Sequence, residues 1–203
     1  MPASTTPTLE NGDFFADATF SDLAIESASL SGKDFQRCTF RRCKLPQSQW
    51  VETRLVDCVF DGCDLQRMVP KKLALRSVTF KDTRLMGVDW SDLGSLPYAE
   101  FERCDLRYSS FVKLKLRKTR FVHCNAREAN FIDVDLREAD FSGTDMLGSV
   151  VQGCVLAKTN FSQTTGLVFD PQANRVKGAC IAVETAVALV QSLGMVVDGF
   201  EAP

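Results

Sequence analysis

The 203-residue chain carries 24 Lys+Arg against 26 Asp+Glu, for a formal net charge of −2, and 45% of it is hydrophobic. That balance gives no bulk electrostatic support to a nucleic-acid binder or to an acidic mimic, and the apolar share is enough for one continuous core. No stretch approaches the roughly 18 apolar residues of a membrane span, and Met1–Thr8 has neither a basic nor an apolar leader region, so a cytoplasmic protein with reduced cysteines is expected.

Residues 1–17 read as a lead-in. From Phe20 the chain repeats every five residues: Phe20, Ile25, Leu30, Phe35, Phe40, and so on to Trp90. One extra residue enters the Ser91–Ser95 stretch, the count resumes at Leu96, and it ends at Gly166. Only Pro70, Ala126 and Gly166 break the run of large apolar centres. Neither a helical period of 3.6 nor a strand period of 2 explains steps of five. The residue two before each centre is small or thin, as at Ala18, Cys38, Ser48, Cys58 and Ala139. One wide and one narrow inward residue per unit fits a tight square cross-section.

Every fourth centre is a phenylalanine: Phe20, Phe40, Phe60, Phe80, Phe101, Phe121, Phe141 and Phe161. Four units per turn therefore build a solenoid over residues 18–168. At a strand-like rise of about 4.8 Å per coil its eight coils make a rod of roughly 40 Å, each coil touching only its neighbours.

Two places depart from the pattern. Met68-Val69-Pro70-Lys71-Lys72 stays in register but puts a proline in an inward slot, where a ladder donor is lost, so this side is expected to be irregular or bowed outward. Leu93 to Pro97 and Tyr98 surrounds the extra residue and is expected to bulge. Irregular segments on a rigid scaffold are where partners tend to bind. Residues 169–203 are aperiodic. Residues 182–193 place Ala186, Leu189, Val190 and Leu193 on one helical face, Gly194 stops the helix, and Met195-Val196-Val197 reads as a short strand. A terminal cap and a dimer interface both fit this tail.

The residues offer little chemistry. Cys38, Cys43, Cys58 and Cys63 follow the repeat rather than a zinc-knuckle spacing, and His123 is the single histidine. There is no phosphate-binding or dinucleotide motif, so no catalytic residue, cofactor or metal is expected. Sorted by side, the Phe35 column sums to +5, with Lys115, Arg117 and Lys118 around Leu116. No side is strongly acidic.

The stretch Arg137-Glu-Ala-Asp-Phe141-Ser-Gly-Thr-Asp-Met146 resembles the A(D/N)LXX motif of the pentapeptide-repeat family, in which each unit forms one side of a right-handed quadrilateral β-helix. The runs Thr164–Ala179 and Ser192–Val197 resemble its microcin-immunity, albicidin-resistance and quinolone-resistance branch. The resemblance implies a homodimer formed through the capping helix. It implies binding to DNA gyrase or topoisomerase IV and protection from a poison, with direct nucleic-acid binding not expected. An interaction scaffold of the same family without a topoisomerase role is the alternative.

Overall fold

A computed structural model describes Leu9 and residues 12–93 and 99–200. The five-residue units wind into a parallel β-solenoid of about eight turns followed by one short helix. On the Phe20 side, Thr19–Ser21, Thr39–Arg41, Val59–Asp61, Val78–Lys81, Ala99–Glu102 and Arg120–Val122 form one parallel sheet. The Phe35 side opens with Phe14–Ala16, Asp34–Gln36, Arg54–Val56 and Ala74–Arg76, and the Leu30 side closes with Ser110–Val112, Asn130–Ile132 and Val150–Gln152. The Ile25 side is a ladder of single bridges from Ala24–Lys44 to Asp145–Thr165.

The core is the phenylalanine column. Adjacent rings stack at 4.9 Å for Phe20–Phe40, 4.5 Å for Phe40–Phe60, 5.0 Å for Phe101–Phe121 and 5.1 Å for Phe141–Phe161. All eight rings are buried. Such pairs contribute about 0.5–1.5 kcal/mol beyond their burial. A second column, through Trp90, Phe111 and Phe131, meets the first edge-on, as Phe111 does Phe121 at 5.5 Å.

Where the narrow inward residue is a threonine or cysteine, it ties its coil to the one before in most cases. Thr53 Oγ1 donates to Leu30 O at 2.7 Å, Thr159 Oγ1 to Leu136 O at 2.7 Å, and Cys58 Sγ to Phe35 O at 3.4 Å. The residue two after each centre turns the corner in left-handed backbone, as at Arg37 (φ 51) and His123 (φ 55). Ser48 has a different task. Its hydroxyl donates to Leu45 O and accepts the Trp50 indole N–H, both at 2.7 Å. Trp90, in the equivalent slot two coils on, follows Val88, and its buried Nε1 has no partner among the described residues. Ser48→Ala would give Trp50 the same unmet donor, so chemical denaturation should show a loss of about 1–3 kcal/mol.

Three expectations are corrected by the structure and one is sharpened. First, the Pro70 side does not bow outward. Pro70 is buried in its centre slot, Val69 N–H reaches Ser48 O and Trp50 N–H reaches Val69 O, both at 2.9 Å. The proline's missing N–H interrupts the ladder only where Val69 faces Asp89, because the fully packed centre slot holds the path. Second, the extra residue falls where the period placed it and its entry is narrowed to after Asp92: Lys72 N–H still meets Asp92 O, twenty residues on, whereas Phe80 pairs with Phe101. Third, the coil begins earlier than Phe20, because Phe15 stacks on Phe35 at 5.0 Å and 10°.

Fourth, the ladder does not end at Gly166. Residues 167–173 leave the square path and tuck Leu167 and Phe169 under the open core, with Phe169 6.3 Å from Phe161. The chain then returns at the same offset of twenty, bridging Val155 to Arg175 and pairing Phe161 with Ile181. Asn174 fills the narrow slot, donating to Val151 O at 3.0 Å and accepting from Cys154 N–H at 2.9 Å.

The helix spans Val183–Ser192 and stops as Gly194 (φ 81) donates to Gln191 O. Thr185 is buried and Leu189 packs on the core. Met195-Val196-Val197 forms no strand, since no neighbouring strand supplies it with a ladder.

Candidate functional site

Among the described residues there is no group of three or more His, Cys, Asp or Glu placed to hold a metal ion. No helix among them is long and apolar enough to cross a membrane. A shallow corner groove of about 330 Å³ is lined by Lys33, Asp34, Glu52, Arg54 and Lys72. Its charges are matched in pairs, Glu52 with Lys72 at 2.8 Å and Arg54 with Asp34 at 3.3 Å. The seven cysteines in narrow slots are all buried, and only Cys180 is exposed. Burial pushes the Cys104 and Cys154 thiols up. In the stacked pairs Cys38–Cys58 and Cys43–Cys63 the neighbouring thiol, together with burial, pushes Cys58 and Cys63 up, while Cys38 and Cys43 are held down by their thiol neighbours.

The contact residues read from the sequence are placed unevenly. Met68 (3% exposed) and Pro70 are core residues, which removes them from any docking surface. Val69, Lys71 and Lys72 are exposed on the same side. Leu93 packs partly against the core, and Pro97 and Tyr98 lie outside the described residues.

Lys115, Arg117 and Lys118 are all exposed on the side of Leu116, Leu136 and Leu156. The return of the chain at Arg175-Val176-Lys177 adds two further exposed cations to that side, one coil beyond Lys158. Sequence reasoning missed Arg175 and Lys177 because the tail was read as aperiodic. The signal was present: Val176 stands twenty residues after Leu156, with Asn174 two before it and Gly178 two after it.

Two carboxylates interrupt the side. Asp135 binds Arg137, whose guanidinium holds the carboxyl below the usual carboxylate range, and Glu138 faces Lys118 at 3.7 Å. Lys115, Arg117, Lys158, Arg175 and Lys177 make no ion pair among the described residues. Elsewhere on the rod many cations are matched coil to coil, while Lys44, Arg67, Lys71, Arg76, Lys81 and Lys113 make no ion pair among the described residues and are scattered over different sides. Arg37 grips Asp17 through two bonds of 2.6 and 2.7 Å, and Arg42 grips Asp22 through two of 2.7 Å.

The tail presents the other uncommon surface. Ala186 and Val190 are half-buried, while Leu193 (66% exposed), Met195 (51%) and Val196 (93%) are open, with Val183 and Phe200 also exposed. Val197 is half-buried.

No curated protein matches the sequence. Among solved structures, the chain is similar to HetL, a pentapeptide repeat protein involved in heterocyst differentiation regulation from the cyanobacterium Nostoc sp. The two share 15% identity and a TM-score of 0.47, covering 82% of this chain and 86% of that one. It is also similar to QnrB1, a plasmid-mediated fluoroquinolone resistance protein. In full-length form QnrB1 is 17% identical at a TM-score of 0.40, covering 88% of this chain and 100% of that one. The family model described as a pentapeptide repeat region matches residues 33–95 and 94–166. With that match spanning most of a solenoid whose square coils are each built from four five-residue units, the chain belongs to the pentapeptide-repeat family.

Proposed function

We propose that this protein acts by binding: a homodimeric rod that docks on a type II topoisomerase, DNA gyrase or topoisomerase IV, and relieves a poison that traps the cleaved DNA complex. The observation that carries the reading is the tail. Its sequence resembles the gyrase-protecting branch, and it ends the rod in a short helix followed by the exposed apolar residues Leu193, Met195 and Val196. Apolar surface of this kind, rimmed by polar residues, marks an interaction site. Val69, Lys71, Lys72, Lys115, Arg117 and Lys118 are the exposed residues offered to the enzyme.

A supercoiling and cleavage assay with purified gyrase and topoisomerase IV, run against a panel of poisons with and without the protein, tests this. Restored supercoiling in the presence of at least one poison supports the reading. No relief and no enzyme binding overturns it in favour of an interaction scaffold, which the mostly self-matched charges along the rod would suit.

The dimer is tested separately. Leu193→Asp with Val196→Asp alters two exposed side chains and leaves the core-packed Leu189 untouched. Light scattering should report a folded monomer in place of a dimer. A dimer that survives the double substitution would place the interface elsewhere.

A further inference from the structure

We infer that the Leu116–Val176 side of the rod binds the phosphate backbone of duplex nucleic acid without reading its sequence. The inference is independent of the topoisomerase reading and runs against the expectation drawn from net charge.

The argument starts from arithmetic on one side. Between Lys115 and Gly178 the outward positions hold five cations without ion-pair partners among the described residues: Lys115, Arg117, Lys158, Arg175 and Lys177. Lys118 and Arg137 are matched by Glu138 and Asp135, so a surplus of five positive charges remains on a chain whose formal total is −2. On the adjoining edge Lys113 and Asp133 offset each other.

Geometry concentrates that surplus. Neighbouring coils here are spaced like their stacked rings, 4.9 Å for Phe111–Phe131 and 4.7 Å for Phe121–Phe141. Three coil steps separate Leu116 from Val176, about 14 Å of parallel ladder. A duplex presents one phosphate charge per about 1.7 Å of axis with both strands counted, so this length of duplex carries about eight phosphates, a share of which lies on the facing side. Backbone hydrogen bonds fix the strip: Leu116 N–H meets Asp135 O, Leu136 N–H meets Val155 O and Leu156 N–H meets Arg175 O. The backbone positions that carry the cations are therefore fixed before any ligand arrives.

The chemistry of the side separates nucleic acid from an acidic protein. Protein interfaces draw their affinity from a central aromatic or apolar anchor. Here the outward apolar residues are Val155 and Ala157, both half-buried, and no exposed aromatic is present to anchor a protein or to stack on a base. A phosphate backbone needs neither, because its binding comes from counterion release.

The test is fluorescence anisotropy with a labelled 20-base-pair duplex across a salt series. Five phosphate contacts predict a log–log salt slope of about −4. The triple variant Lys158→Gln, Arg175→Gln, Lys177→Gln should reduce the slope to about −2, and the matching triple Glu variant should abolish binding. Circular dichroism verifies that each variant is folded. Lys44→Gln with Lys81→Gln, on other sides of the rod, should leave the slope unchanged. The inference is overturned by absence of duplex binding at low salt, or by a slope the triple variants do not move. It is equally overturned if poly-glutamate competes as well as unlabelled duplex, which would assign the side to an acidic protein. Failure of gyrase protection leaves these readouts untouched.

Discussion

Phe121→Ala should be the most damaging single substitution in the solenoid, costing about 3–5 kcal/mol, the range for removing a buried aromatic. The ring is fully buried, stacked between Phe101 at 5.0 Å and Phe141 at 4.7 Å, and met edge-on by Phe111 and Phe131. Truncation opens a void that cannot collapse, because each coil is held to its neighbours by ladder hydrogen bonds on all four sides. A solenoid's stability is a sum of coil and interface contributions, so the damage should divide the rod. Chemical denaturation is expected to show an earlier and broader transition, with coils on either side of residue 121 separating in hydrogen exchange. Phe121→Leu keeps most of the volume and should cost under about 1.5 kcal/mol. An alanine variant within about 1 kcal/mol of the parent would mean that the column is not the main source of stability.

Gly166→Ala should cost more than about 2 kcal/mol, in excess of the 1–2 kcal/mol that left-handed backbone charges a residue with a Cβ. Gly166 has φ +66, and an added Cβ would lie 2.6 Å from Leu147 Cα and 2.8 Å from Leu147 N. Both are backbone atoms of the preceding coil, so no rotamer change relieves the contact. The expected consequence is local. Residues 167–181 should lose hydrogen-exchange protection first, and with them the placement of Arg175 and Lys177. Gly62→Ala isolates the backbone cost, because φ there is +64 while the nearest atom is the flexible Arg42 Cγ at 3.7 Å. Equal losses in the two variants would remove the steric account of Gly166.

Much of the architecture was legible because one period governs it. A step of five with a phenylalanine at every fourth centre admits one arrangement, and the stacked column from Phe20 to Phe161 is that arrangement. The cysteines were legible for the same reason: their spacing is the repeat's, and their slots are buried. The surface was less so. Met68 and Pro70 stood out in the sequence as anomalies, yet the core accepts both, because the inward slots they occupy, one narrow and one central, select for apolar bulk and not for a backbone donor.

What the sequence by itself determined was the coil: its period, its inward residues and the order of its four sides, all set by side-chain volume recurring at fixed spacing. Tertiary structure decided what happens where the period fails. After Gly166 the returning chain is recaptured by free ladder groups on Val155 and Asn160, which depend on the finished coil above and not on local pattern. That recapture is why Arg175 and Lys177 join Lys115, Arg117 and Lys158 on one side. The charge surplus there is a product of folding, since residues as far apart in sequence as Lys115 and Lys177 come to share one side only when the coils stack.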